Sequence, residues 1–314
     1  MSLNLGFWSF SNHLKNKVIP SIKDNKKIVP YMIFSNKRKI LRQKYLASTI
    51  ITKNKNNLLK DKNIKYIYIS SITKNHFKNS KDVIKSKKNV ICEKPICNTA
   101  KEFKKLLVLS KRNKVKIFEF YHYIHHPLFK KLQEILKKNI LGNINYIESH
   151  FTVPLNDKRN FRFKKKLGGG ALMDVGVYPI SLPFFLYKNP NLEIIKKNIN
   201  FSKKNKIDTS GSLTVKIKKK ILGSFHWGFN LPYRNNLSIL GEKGCIEINF
   251  FFSKKVVQEG EIKLFLKKSN KKVKVKKFNQ INETFKYFLS KKNNKILNIK
   301  SLNILKFLDK IKNK

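Results

Sequence analysis

The sequence predicts an α/β protein in two parts: a doubly wound parallel sheet over residues 1–121, then an α/β domain with a large, mostly antiparallel open sheet over residues 122–314. Three observations carry this. The chain has 314 residues of which 41% are hydrophobic, enough for two cores. Up to about residue 122, short apolar runs alternate with helical patterns, as in a parallel sheet with crossover helices. Beyond it, longer segments alternate apolar with polar residues between tight turns, as in an antiparallel sheet with one open face.

In order, Leu3 to Phe10 reads as a strand, and Lys15 to Lys23 as a helix with Val18, Ile19 and Ile22 on one face. Ile28 to Phe34 and Ile64 to Ser70 follow as strands, Phe77 to Ser86 as a helix and Asn89 to Cys92 as a strand. Thr99 to Arg112 reads as a helix with its cap at Asn98-Thr99 and an acid, Glu102, in its first turn. Val115 to Phe120 closes the first part. Leu128 to Lys138 is amphipathic and ends near Gly142. The second sheet is read from Ile144 to Val153, Leu213 to Ile217, Ile221 to Phe229, Asn236 to Leu240, Cys245 to Asn249 and Ile262 to Leu266. Leu302 to Ile311 is a closing helix that packs back on the N-terminal domain.

The net charge of +52 invites a nucleic-acid reading, but only six of the 70 basic residues are arginine. Base readers favour the arginine fork, and these lysines run along the whole chain. With lysine, asparagine, isoleucine and phenylalanine all in excess, the charge reads as drift toward A/T-rich codons. No specific nucleic-acid partner is expected, only salt-sensitive sticking to polyanions. Cys92, Cys97 and Cys245 are too few for a disulfide framework, and no Cys/His spacing looks like a zinc site, so no metal is expected, even at the triplet His122, His125 and His126. No signal peptide is evident, and the apolar stretch Val177 to Tyr187 is broken by prolines and too short to span a bilayer. The expectation is a cytoplasmic protein with no membrane partner.

Two motifs carry chemistry. Glu93-Lys94-Pro95 follows the apolar run Asn89 to Cys92, so the lysine stands at a strand end, its backbone restricted by the proline. Open α/β sheets bind ligands at that end. Gly168-Gly169-Gly170-Ala171-Leu172-Met173-Asp174-Val175-Gly176-Val177-Tyr178-Pro179 puts Asp174 and Tyr178 on consecutive helical turns behind a glycine run. A lysine, an aspartate and a tyrosine suit proton transfer at a ketone or alcohol.

These motifs resemble the Gfo/Idh/MocA family of NAD(P)-dependent sugar and cyclitol oxidoreductases. His76 lies seventeen residues before Glu93, as in the family. Phe118 to Pro127 resembles the family's crossing segment, with Glu119, Tyr123, His126 and Pro127 matching and Ile124 replacing a common arginine. Val18-Ile19-Pro20-Ser21-Ile22 fits the family's helix ending, and Tyr233 to Ile248 its strand–turn–strand. The resemblance implies a Rossmann domain, NADP or NAD as cofactor, and a sugar, nucleotide sugar or cyclitol as substrate. It implies Lys94, Asp174 and Tyr178 as catalytic residues, with Tyr178 as proton donor, Lys94 polarising the carbonyl and Asp174 orienting it.

Cofactor contacts are expected at Ser9, Ser11, Asn12, Ser35, Lys37, Arg38, Thr73, His76, Glu93 and Lys94. The phosphate turn departs from the family: Ser9, Ser11 and Leu14 stand where Gly-x-Gly-x-x-Ala/Gly would be, and Leu14 is bulky enough to push the helix away. No acid follows the second strand, at Ser35-Asn36-Lys37-Arg38, which favours NADP. His76 has two readings, a cofactor contact or a histidine satisfied by backbone. Tyr123 and Arg234 are expected at the substrate; Arg234 reads equally as sheet surface. An uncovered apolar face on the second sheet would pair copies into a homodimer or homotetramer. The alternative function is a non-catalytic dinucleotide- or sugar-binding relative of the same fold.

Overall fold

The computed structural model describes residues 2–36, 46–267, 269–290 and 294–313. Strand β1 (Leu3–Trp8) pairs in parallel with β2 (Ile28–Phe34) on one side and β4 (Tyr66–Ile69) on the other. β3 (Ile50–Thr52), β5 (Asn89–Cys92) and β6 (Ile117–Glu119) complete a six-stranded parallel sheet in the order β3-β2-β1-β4-β5-β6. Its crossovers are α1 (Ile19–Ile22), α2 (Lys55–Lys60), α3 (His76–Lys85) and α4 (Ala100–Arg112). Thr99 caps α4 by accepting from the Glu102 N–H, and the Glu102 carboxylate accepts from the Asn98 N–H at 2.9 Å.

The chain forms two units, Met1–Tyr121 with Ile281–Lys306 and His122–Gln280 with Phe307–Lys314. The span 122–314 is therefore divided: α7 (Gln280–Leu289) and the first two-thirds of α8 (Lys295–Lys312) belong with the parallel sheet. The cause is apolar burial. Ile281, Phe285 and Phe288 recur at helical spacing and enter the core of Phe7, Leu14, Ile33, Tyr68, Ile91 and Phe120. Phe285 meets Phe120 at 5.1 Å between centroids and Tyr68 at 5.4 Å, and Phe118 stacks on Phe288 at 4.5 Å.

The second unit is an eight-stranded sheet built from β7 (Ile144–Val153), β8 (Leu192–Phe201), β9 (Asp208–Ile217), β10 (Ile221–Phe229), β11 (Arg234–Gly241), β12 (Gly244–Asn249), β13 (Gln258–Leu266) and β14 (Ser269–Phe278). The order is β14-β13-β12-β11-β7-β10-β9-β8. β7 and β10 run parallel; the other neighbours are antiparallel. Helix α5 (Pro127–Lys137) packs on β13 and β14, and α6 (Val177–Leu186) on β7 and β10. Ile147, Phe151, Phe225, Trp227, Leu237 and Ile239 fill the face beneath them. The stretch Lys165–Leu186 has the length and apolarity to cross a membrane, yet 78% of its most apolar window is buried inside the fold, as in a core helix.

Several elements escape the sequence reading. The two edge strands, β8 and β14, carry lysine at alternate or adjacent positions, which protects an edge but disguises a strand. β3 is three residues long and α2 six, too short for a periodicity. The open face differs from the apolar surface expected: at its centre Glu148, His150, Ser224 and His226 alternate with the buried residues of β7 and β10.

Candidate active site

In the first unit, a cavity of about 490 Å³ opens at the carboxyl ends of β1 and β2, with Ser9, Ser35, Asn36, Lys55, Ser71 and Asn75 among its lining residues. β1 has β2 on one side and β4 on the other, so this is the point where strand order reverses and doubly wound sheets bind ligands. Ser9 holds a left-handed backbone (φ 82°), the conformation a fingerprint glycine exists to supply, and its N–H donates to the Phe34 carbonyl at 2.8 Å. The Ser11 hydroxyl accepts from the Leu14 N–H at 3.0 Å, so it caps the helix. Asn12 is exposed beside it.

Leu14 does not push the helix off. It is fully buried in the core, and the helix opens with a wide π-helical turn over Leu14–Val18. Ser35 is buried, its N–H bonded to the Thr52 carbonyl. Thr73 opens a short 3-10 turn, while Ser71 and Asn75 beside it line the cavity. Lys37 and Arg38 lie outside the described residues.

His76 is settled by geometry. It is 1% exposed, with Nδ1 at 2.8 Å from the Pro95 carbonyl and Nε2 at 2.9 Å from the Ser71 carbonyl. It holds the ends of β4 and β5 together and offers no free edge to a cofactor. Burial lowers its proton affinity, and the two carbonyls oppose that shift.

Lys94 stands half-buried just beyond β5, followed by a cis peptide to Pro95. Its neighbours are fixed. The Tyr68 hydroxyl donates to the Glu93 carboxylate, which also lies 3.2 Å from His13 Nε2. The Glu119 carboxylate accepts from the Ile96 N–H at 2.9 Å. Burial pushes the Glu119 carboxyl up to about 7, opposed by Ser301, Ile96, Tyr121 and the charge of Lys94. Cys92 and Cys97 are free and fully buried, and burial raises both thiols, so they pack as small hydrophobes.

In the second unit the glycine run is used for close approach. Gly168 ends a 3-10 turn at φ 79°. Gly170 has φ 134°, and a Cβ there would lie 2.3 Å from Asp208 Oδ1. Asp208 in turn accepts from the Leu172 N–H, holding the start of the helical stretch. Burial raises its carboxyl against hydrogen bonds that include those from Leu172 and Trp227. A Gly170→Ala variant should therefore lose stability, by about 1–3 kcal/mol from strain at this backbone position and displacement of the Asp208 cap, read as a lower denaturation midpoint. An unchanged midpoint would show that Asp208 moves aside freely.

Asp174 forms an ion pair with Arg162 Nε, both partly exposed. Tyr178 is 5% exposed, packed edge-on against Phe151 at 4.9 Å, with its hydroxyl 3.3 Å from His122 Nε2. Arg162, Asp208 and His122 are thus partners of the candidate residues and their helix that sequence reasoning missed. Tyr123 corrects an expectation: it is fully buried and bonded through its hydroxyl to Ser181 at 2.8 Å, so it packs under Tyr178 instead of meeting substrate. Arg234 is exposed at the start of β11, its N–H donating to Thr152 Oγ1. Lys94 belongs to the first unit, and Asp174, Tyr178, Tyr123 and Arg234 to the second.

A family model described as an oxidoreductase family with an NAD-binding Rossmann fold matches residues 23–121, and one for the GFO/IDH/MocA C-terminal domain matches residues 129–247. The chain belongs to the Gfo/Idh/MocA family. The matched region begins after the serine-substituted turn of this family member, where it departs from the fingerprint. A dTDP-3,4-didehydro-2,6-dideoxy-alpha-D-glucose 3-reductase from Actinomadura kijaniata is 24% identical over 170 residues, 54% of this chain and 51% of the relative. A trans-1,2-dihydrobenzene-1,2-diol dehydrogenase from Xenopus tropicalis is 26% identical over 195 residues, 61% of this chain and 57% of the relative. The chain thus spans about half the length of the curated relatives it matches.

Among solved structures, a 3-ketoreductase from Actinomadura kijaniata in complex with NADP and TDP-benzene superposes with a TM-score of 0.91 at 18% identity, covering 99% of this chain and 97% of the other. An aldose-aldose oxidoreductase from Caulobacter crescentus gives 0.87 at 14% identity, covering 99% and 96%. At these identities the likeness is one of fold: a parallel Rossmann sheet and a mostly antiparallel eight-stranded sheet.

Proposed function

We propose that the chain is an NAD(P)-dependent oxidoreductase that transfers hydride between nicotinamide and a hydroxyl- or ketone-bearing carbon of a sugar, nucleotide sugar or cyclitol. The observation that carries this is the Ser9 turn. Without a glycine it still takes the left-handed backbone conformation, at the mouth of a cavity of about 490 Å³ at the strand switch point. A serine there costs about 1–2 kcal/mol relative to a glycine, so the conformation is kept against its local preference. The residues present fit a dinucleotide: the main chain of Ser9 to Asn12 for the pyrophosphate, Ser35 and Asn36 for the adenosine ribose. The lack of an acid at Ser35-Asn36 supports NADP over NAD.

When bound, the cofactor supplies or accepts the hydride. Lys94 stabilises the negative charge that develops on the substrate oxygen. Tyr178 gives that oxygen its proton through the phenolic hydroxyl, with His122 as the buried group that can replace it. Asp174 orients the substrate, itself held by Arg162. The 3-reductases of nucleotide-linked sugars among the relatives support a nucleotide-linked substrate, and the exposed Arg234 suits its phosphates. We further assign the protein to the cytoplasm, as a homodimer or homotetramer through the open sheet face. The second reading, a binding-only relative, draws on the phosphate turn, where Ser9, Ser11 and Leu14 replace the small fingerprint residues.

The test is a fluorescence titration with NADPH and with NADH, followed by turnover assays on free and nucleotide-linked keto sugars. Micromolar binding of one nucleotide with turnover is expected; no binding of either would overturn the proposal, and binding without turnover would favour the second reading. Tyr178→Phe should keep dinucleotide affinity and lower kcat by about 10²–10⁴-fold, the usual worth of a positioned acid. Unchanged kcat would remove Tyr178 from the mechanism.

A further inference from the structure

We propose that Glu148, His150 and His226 form a binding site for a divalent transition metal of the zinc class on the open face of the eight-stranded sheet. The register places them. β7 and β10 pair in parallel with His150 opposite His226 and Glu148 opposite Ser224, so four side chains form a block on the face away from α6. One ligand atom from each of the three residues lies within 4.8 Å of the other two. A tetrahedral zinc site with Zn–N of about 2.0–2.1 Å needs ligand atoms about 3.3 Å apart. Modest rotations of these side chains close that gap, since His150 and Glu148 are 21% and 37% exposed.

The donor set is right for such an ion. The two imidazoles are borderline nitrogen ligands that suit zinc, cobalt or nickel rather than magnesium and calcium, and a carboxylate completes many such sites. The Glu148 carboxylate already meets His150 Nε2 at 2.7 Å, and the Ser224 hydroxyl meets His226 Nε2 at 2.9 Å. The imidazole rings are stacked at 4.5 Å with a 10° interplanar angle, side by side on the two paired strands.

A further observation points to a ligand. Asn236 lies opposite His150 on the other side of β7, and its buried Oδ1 accepts no hydrogen bond among the described residues. An orphaned acceptor beside two imidazoles and an acid is a place for a metal-bound water. A metal held there would bridge β7 and β10, the parallel junction of an otherwise antiparallel sheet. The site owes nothing to the dinucleotide cavity, which belongs to the other unit.

The experiment uses the intact protein, stripped with a chelator, and titrates Zn²⁺ against a chromophoric competitor. It is repeated on Glu148→Gln, His226→Gln and the double variant His150→Ala/His226→Ala. The wild type should bind one equivalent more than the double variant, and each single variant should bind that equivalent at least tenfold more weakly. Substituted Co²⁺ should show visible absorption of a four- or five-coordinate ion that the double variant lacks, and Zn²⁺ should raise the Tm of the wild type alone. Equal stoichiometry and affinity in wild type and double variant, with circular dichroism unchanged, would overturn the proposal.

Discussion

Replacing Lys94 by alanine is expected to lower kcat by on the order of 10²–10³-fold, the loss seen when one preorganised donor to a developing oxyanion is removed, while the dissociation constant for NADPH changes far less. The main chain around the lysine is firmly held. Before it, Glu93 is tied to Tyr68 and to His13. After it, the Pro95 carbonyl is held by His76 and the Ile96 N–H by the buried Glu119. A charge whose main chain is fixed on both sides need not reorganise when the substrate oxygen becomes negative, and such charges stabilise a transition state more than a ground state. Steady-state kinetics with a keto sugar and a fluorescence titration separate the two effects. Loss of nucleotide affinity with kcat intact would make Lys94 a cofactor anchor and nothing more. Lys94→Arg should rescue only part of the loss, because a planar fork does not occupy the position of a point charge.

Phe285→Ala is expected to cost about 3–5 kcal/mol of stability, the range for deleting a fully buried phenylalanine. Its ring is 0% exposed and lies against Tyr68 and Phe120. Tyr68 carries the hydroxyl that Glu93 accepts, so the cavity left behind sits two side chains from Lys94. Denaturant titration should show a lower midpoint, and at moderate denaturant the nucleotide site should fail before the second unit's sheet does. A change below about 1 kcal/mol would mean that α7 is a surface helix, against its burial.

The strand–helix alternation of residues 3–120 was legible because each apolar run is short and bounded, and β7 and β10 because they are long and alternate cleanly. The edge strands were not, since lysine at an edge looks the same as lysine in a loop. Of the candidate residues, Lys94, Asp174 and Tyr178 were legible as motifs, each sitting in a run that no other part of the chain resembles. Their partners were not. Arg162 reaches Asp174 across a turn, Asp208 caps Leu172 from the start of β9, and His122 meets Tyr178 from a segment 56 residues away. Such pairs are made by topology, and in a chain with 70 basic residues no single arginine or lysine announces itself. His150 and His226 illustrate this most simply: neither has a ligand-like neighbour spacing to the other in sequence, and the parallel pairing of β7 with β10 sets them side by side.

The division of the chain has a consequence for how the protein is made. The aromatic socket formed by Tyr68, Phe118 and Phe120 is filled by Phe285 and Phe288. A ribosome moving from the N-terminus finishes every strand of the parallel sheet long before it reaches those two residues, and must first build all of His122–Gln280. Throughout that interval the nascent sheet displays an unfilled greasy hollow to its surroundings. Synthesis of this protein therefore passes through a waiting stage, in which a chaperone has a defined surface to hold, and a messenger cut short before residue 285 yields a product whose parallel-sheet core lacks Phe285 and Phe288.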